Sequence, residues 1–234
     1  MKKLSILVLM VFGYFSNAVA IEGINLGVSL TAGVFEADGA KEEFKGAHVG
    51  GASPGNVSKS SATDGDSAKG LFGIGSIFAE YEINDQVAVG IDYVPHSMES
   101  ETTENIQSDK TSSDTSSNKT NTAQIDFKDL ATLYVTLTPP DANGLYFKAG
   151  YMQVDVETNE ILGTGGAYGN TDLDGYTIAL GYNRDIDSDT FVRIETSYMN
   201  LDGATLVNTA DSTKSITADG IDGYGARVSI GKSF

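Results

Sequence analysis

The chain reads as an all-β protein, an eight-stranded antiparallel up-and-down transmembrane β-barrel with four long extracellular loops. Three observations predict it. Eight segments alternate apolar with polar residues at the two-residue period of a strand. The connections between them alternate long and short. The charged residues of the segments lie on the row opposite the large apolar ones, the reverse of a soluble barrel, whose greasy side chains point inward away from water.

Composition narrows the frame. The 234 residues include 27 glycines, no cysteine and no tryptophan, and carry a formal charge of −17. Such acidity argues against a nucleic-acid partner, and the lack of cysteine rules out a disulfide framework. Lys2 and Lys3 precede an apolar run over residues 4–15, and Ala18-Val19-Ala20 follows as an A-x-A site. Residues 1–20 therefore read as a secretory signal peptide cleaved after Ala20, and residues 21–234 as the barrel. Its removal deepens the negative charge by two. No later apolar run approaches the roughly 20 residues a membrane helix needs, so a helical membrane protein is excluded.

The first strand begins at Ile24, with Leu26, Val28, Leu30, Ala32 and Val34 on one row against Asn25, Gly27, Ser29, Thr31 and Gly33. Residues 38–69 lose periodicity and form a polar loop. The second strand, 70–83, and the third, 87–93, join through Asn84-Asp85-Gln86 as a tight hairpin. Pro95 ends the third. Residues up to 123 are nearly all Ser, Thr, Asn, Asp, Glu and Lys, a composition that reads as a hydrated, mobile loop. The fourth strand, 124–138, groups Ile125, Phe127, Ala131, Leu133, Val135 and Leu137, with Asp129 as the one misfit. Pro139-Pro140-Asp141-Ala142-Asn143-Gly144 is a turn. The fifth strand carries Leu145, Phe147, Ala149 and Tyr151 outward, the sixth Tyr176, Ile178, Leu180 and Tyr182, and the seventh Val192, Ile194, Thr196 and Tyr198. The last, 221–234, alternates Tyr224, Ala226, Val228 and Ile230 with Gly223, Gly225, Arg227 and Ser229 and finishes on Phe234; Lys232 interrupts its apolar row.

Connections after the odd-numbered strands run to about 32, 29, 14 and 21 residues, and those after the even-numbered ones to about three to six, which matches a barrel with short periplasmic turns and long outer loops. The apolar rows then face acyl chains, and closure leaves no unpaired strand edge in the bilayer. Aromatic residues on those rows sort to strand ends. Tyr81, Phe147, Tyr182 and Phe234 form a periplasmic girdle, and Tyr93, Phe127, Tyr151, Tyr176, Tyr198 and Tyr224 an outer one.

In topology, girdles and a closing strand that ends on an aromatic residue, the chain resembles the small eight-stranded outer-membrane proteins, the OmpA transmembrane domain and the OmpX/Ail group. That resemblance implies an outer-membrane location, lipid and lipopolysaccharide around the wall, and recognition of the last strand by the outer-membrane insertion machinery. It also implies a monomer whose long acidic loops meet an extracellular ligand or host surface.

Candidate chemistry lies in the lumen. Glu80, Asp92 and Glu195 oppose Lys128, Lys148, Arg193 and Arg227 on the inward rows, and pairing is expected because an unpaired charge in a narrow lumen is costly. The network serves either as a plug, the preferred reading, or as the gate of a narrow pore or small-solute conduit. No catalytic residue, metal or cofactor is expected. His48 and His96 lack the His-x-Ser pair of the lipid A deacylase type of barrel, and neither Asp185-x-Asp187-x-Asp189 nor Asn170-x-Asp172-x-Asp174-Gly175 completes a calcium loop. The first loop, with Phe44, Ala47 and Val49, has apolar residues for contact. The second, with Glu99, Glu101, Glu104, Asp109 and Asp114, reads as an acidic brush.

Overall fold

The computed structural model describes residues 22–37, 39–44, 55–56, 68–109, 117–163, 165–212 and 214–234. The signal peptide and its cleavage point lie outside them, as do His48, Ala47, Val49 and Asp114.

In chain order the strands are β1 (Ile24–Ala37), β2 (Ala40–Phe44), β3 (Gly55–Asn56), β4 (Ala68–Asn84), β5 (Val87–Tyr93), β6 (Met98–Glu99), β7 (Thr103–Asp109), β8 (Ser117–Leu137), β9 (Leu145–Leu162), β10 (Thr171–Asp185), β11 (Thr190–Leu201), β12 (Ala204–Val207), β13 (Lys214–Ala218) and β14 (Ile221–Ser233). Eight of them, β1, β4, β5, β8, β9, β10, β11 and β14, close into an antiparallel up-and-down barrel. Each pairs with its barrel neighbours in sequence, and β14 closes onto β1 from Asn25↔Ser233 to Ala37↔Ile221. The outward rows are rich in Val, Ile, Leu and Tyr, whose branched and aromatic side chains suit a pleated surface. They stand open: Leu30, Leu133, Ile178, Ile194 and Val228 are each more than half exposed.

Short turns join the strands at one end. Between β4 and β5, Asn84 Oδ1 accepts the amides of Gln86 and Val87. Between β10 and β11, Asp187 Oδ1 accepts those of Asp189 and Thr190 at 3.0 and 2.7 Å. Between β8 and β9, Asp141, Asn143 and Gly144 take positive φ, a region Asp and Asn tolerate through local hydrogen bonds and Gly without steric cost. Lys232, the exception on the last apolar row, sits at this end with its ammonium 3.8 Å from Asp189.

At the other end the structure departs from the sequence reading. Much of the stretch read as a mobile brush is ordered strand: β7 pairs with the first residues of β8 from Thr103↔Ala123 to Asp109↔Ser117, and β6 pairs with β8 at Met98↔Phe127. Threonine favours strands, but with polar residues on both faces the stretch shows no alternation, so the sequence concealed it. β8 and β9 therefore run to 21 and 18 residues, well past the 9–11 that cross a bilayer. β2 and β13 pair as well, in a small sheet ordered β12-β13-β2-β3.

A second correction comes from one residue. The β8–β9 register shifts between Lys128 and Ala131, where Asp129 adopts φ 52°. This bulge inserts an extra residue and inverts the side-chain alternation beyond it. Phe127, expected outside in the girdle, instead packs against the buried apolar cluster inside. Lys128, expected in the lumen, faces outward and pairs with Glu157. Asp129 itself accepts the Tyr93 hydroxyl at 2.5 Å, so the misfit acid caps an aromatic residue on the outer wall.

The Asp187 turn gives a signed pH dependence. The Asp189 amide, then the Thr190 hydroxyl and amide, hold the Asp187 carboxyl below its usual range. Its contribution to turn stability is complete above the unfolded value of about 3.9 and lost as pH falls through the depressed folded value. Amide exchange at Asp189 and Thr190 should accelerate across that acid window, and Asp187→Asn should abolish the pH dependence.

Candidate functional site: the barrel lumen

The lumen is filled by a repeated cross-strand device. Phe78 lies directly opposite Gly27, Tyr134 opposite Gly90, Tyr146 opposite Gly181 and Phe191 opposite Gly231. In each pair the ring lies over the glycine: a Cβ at Gly27, Gly181 or Gly231 would come within 2.3–2.4 Å of the ring's Cζ atom. Inward glycines thus make room for the neighbour's aromatic ring, which spreads sideways across the narrow interior. Gly33 with Phe72 and Gly70 with Phe35 repeat the arrangement higher up.

Between these rings run ion pairs, the three shortest of which join strands that are not neighbours in the barrel. Arg193 of β11 donates from Nη1 to Glu80 Oε1 of β4 at 2.6 Å, and from Nε to Asn183 at 3.0 Å. Tyr134 of β8 donates to the same Glu80 oxygen at 2.9 Å. Arg227 of β14 reaches Asp92 of β5 at 2.8 Å, and Asp92 also accepts from Ser76. Lys148 of β9 meets Glu195 of β11 at 3.1 Å, with Arg227 Nε 3.9 Å from the second Glu195 oxygen. The Glu80 side chain is fully buried, and those of Asp92 and Glu195 are 4% exposed. Three acids face three bases. Isolated charges this deep would be prohibitive, and each here has an opposite partner at hydrogen-bond distance. Arg193 is further enclosed by the rings of Phe191, Tyr146 and Phe78, 4.4, 5.5 and 5.7 Å from its guanidinium carbon.

Above this polar half lies what the sequence reading missed. Ile74, Val94, Leu130, Met152, Val154, Val156 and Leu201 form a buried cluster, with Phe72, Met98, Phe127, Leu173, Met199 and Ile221 packed against it. Val94 and Val154 are 1% exposed. The polarity of the wall inverts near the outer tyrosines. Below them the outward residues are apolar and the inward ones charged, small or aromatic; above, β9 places Val154 and Val156 inward and Gln153, Asp155 and Glu157 outward. The signal was present in that run, V-D-V-E after Tyr151, as an alternation of unbroken period whose greasy side had changed faces. Between the apolar and charged halves lies a cavity of about 50 Å3, far below the roughly 300 Å3 at which ligand sites begin.

The girdle residues take up two heights on the outer wall, Phe127 excepted. Tyr81, Phe147, Tyr182 and Phe234 stand exposed toward the short-turn end, and Tyr151, Tyr176 and Tyr224 toward the other. Tyr151 donates to Asp174 at 2.5 Å and Tyr198 to Asp222 at 2.6 Å, repeating the Tyr93–Asp129 contact.

One edge of the wall is open. β5 stops at Tyr93, so β4 above Ile77 has β1 on one side and no strand on the other among the described residues. His96 Nε2 there accepts the Gly75 amide at 3.2 Å, standing in for the missing ladder. Among the described residues no group of three or more His, Asp or Glu could hold a metal ion.

Comparisons with known proteins agree with this architecture. A family model described as outer membrane protein beta-barrel domain matches residues 26–234. No curated protein matches the chain. Among solved structures, the outer membrane protein OprG from Pseudomonas aeruginosa is similar at a TM-score of 0.50 and 12% identity, covering 91% of this chain and 96% of that one. Neisserial surface protein A gives 0.41 and 13%, covering 91% and 98%. The outer membrane protease OmpT from Escherichia coli gives 0.43 and 10%, covering 94% and 99%.

Two stability predictions follow from the packing. Gly181→Val should cost about 1–3 kcal/mol by overpacking against Tyr146, read as a lower urea midpoint for folding into lipid vesicles. Lys148→Met should cost about 3–5 kcal/mol, because Glu195 loses its nearer partner while remaining buried. Lys148→Met with Glu195→Gln should recover most of that loss.

Proposed function

The chain belongs to the family of outer membrane protein β-barrel domains, and on that premise we propose that it is a closed, monomeric platform that displays its long-loop end on the cell surface. The observation that carries the reading is the filled lumen. Among the described residues, charge pairs and aromatic rings occupy the periplasmic half and an apolar core the outer half, with a cavity of about 50 Å3 between them. The outer half has the polarity of a soluble barrel because water, rather than lipid, surrounds it. The same inversion extends β8 and β9 beyond the membrane as a rigid base for contact with an extracellular ligand or host surface. The tyrosine pairs hold the wall at the headgroup level. No residue is assigned a catalytic step.

A second reading, a conduit for small solutes, has its own support. Met98, Met152 and Met199 line the apolar half and can repack around a guest, and the open β4 edge breaks the wall beside them. Such a solute would be apolar, not the polar one that a charged lumen suggests.

Planar-bilayer recording discriminates the two. The platform predicts no unitary conductance from the native barrel and leak currents from the Arg193→Ala/Arg227→Ala variant. Native channels of stable amplitude would overturn it. In flow-cell attachment assays, cells carrying the barrel with residues 100–124 replaced by a short turn should adhere less to glycan-coated surfaces while heat-modifiable migration is retained. Unchanged attachment would remove the display role.

A further inference from the structure

A second concavity lies outside the lumen, a groove of about 540 Å3 on the lipid-facing wall. Cross-strand register explains its shape. One outward row carries Phe147, Leu180 and Thr196, and the next Ala149, Ile178, Tyr198 and Tyr224. Between them the inward-pointing Ala179 and Ser197 present only backbone to the outside, so the two rows form banks and the intervening row a floor. Ala149 and Thr196, the smallest side chains on the banks, deepen it. The groove crosses from β8 to β14, four interstrand spacings, or about 19 Å. Because barrel strands tilt about 35–45° from the membrane normal, a trough perpendicular to them climbs diagonally through the hydrocarbon.

We propose that this groove is a binding site for one acyl chain of an outer-leaflet lipid, the lipid A of lipopolysaccharide. Its lining is almost wholly apolar, and it lies within a wall whose surroundings are the outer membrane. A second copy of the barrel does not fill it, since two convex walls meet along a ridge and leave a trough one chain wide empty. The ends of the groove set the polarity of the lipid. At the periplasmic end the banks are Leu137 and Phe147, and Lys148, on the floor row beside them, turns its ammonium into the lumen toward Glu195. At the outer end stand the paired rings of Tyr198 and Tyr224, 5.3 Å apart. Just above them, Asp222 accepts from Tyr198 and from Asn200 at 2.9 Å. The sugar hydroxyls and amides of lipid A supply donors for that carboxylate rim while the chain lies in the trough.

Native mass spectrometry of the full barrel in detergent tests the site, with purified lipid A, phosphatidylethanolamine and phosphatidylglycerol as separate probes. The wild type should keep one lipid A under activation that strips the phospholipids. Ala149→Phe and Thr196→Leu, which fill the trough yet keep the wall apolar, should each lower retention about tenfold. Val28→Phe, elsewhere on the lipid-facing wall, should not. Heat-modifiable migration checks that each variant is folded, and either filling variant suffices alone. Undiminished retention in the filled variants, preferential retention of a phospholipid, or a dimer mass in place of bound lipid would each overturn the assignment.

Discussion

The barrel is governed by a change of solvent along its own axis. Below the outer tyrosines the wall is bathed in hydrocarbon and the enclosed side chains must satisfy one another. Above them it is bathed in water, and the hydrophobic effect drives the greasy side inward. The ladder continues through both media, except that β5 ends at Tyr93 and leaves β4 above Ile77 paired on one side among the described residues. Two cores are therefore stacked in one tube, an ionic and aromatic one below and an aliphatic one above, and the tyrosines mark their junction. The acids at that junction, Asp129, Asp174 and Asp222, accept the hydroxyls that the rings must keep out of the hydrocarbon.

Seen this way, the closed lumen needs no gatekeeping role to explain it. Cross-barrel pairs such as Arg193–Glu80 and Arg227–Asp92 fix the separation of strands that share no ladder, and the Gly–aromatic pairs fix the registers of strands that do. Together they hold a narrow tube round, against the tendency of an eight-stranded sheet to flatten. Rigidity in the membrane is then transmitted outward through the long β8 and β9 strands to the long-loop end.

Most of this was legible in the sequence because lipid-facing alternation is a strong signal. The eight barrel strands, the closing role of Tyr224 to Phe234 and the inward placement of Glu80, Asp92, Lys148, Arg193, Glu195 and Arg227 all followed from period-two rows. Two things were hidden for physical reasons. A bulge at Asp129 leaves composition unchanged while moving Phe127 and Lys128 to opposite faces, and only the misfit acid hinted at it. The aliphatic core was hidden because the sequence was read with one solvent in mind. Val154 and Val156, past the last outward residue named for the fifth strand, are its continuation with inside and outside exchanged. The outer strands β6 and β7 gave no periodic signal, since β6 is two residues long and β7 has Ile106 as its one apolar residue.

The junction between β1 and β14 carries a consequence for assembly. These are the two strands farthest apart along the chain, and their ladder does not stop at the barrel rim: after Ala37↔Ile221 it resumes at Ala40↔Ala218 and continues through β2 and β13. The contact with the greatest loop-closure entropy is thus also the one with a clasp outside the membrane. A barrel zipped in this way resists opening at the seam where its first and last strands meet, and the step that closes this seam also ties the first external loop to the last.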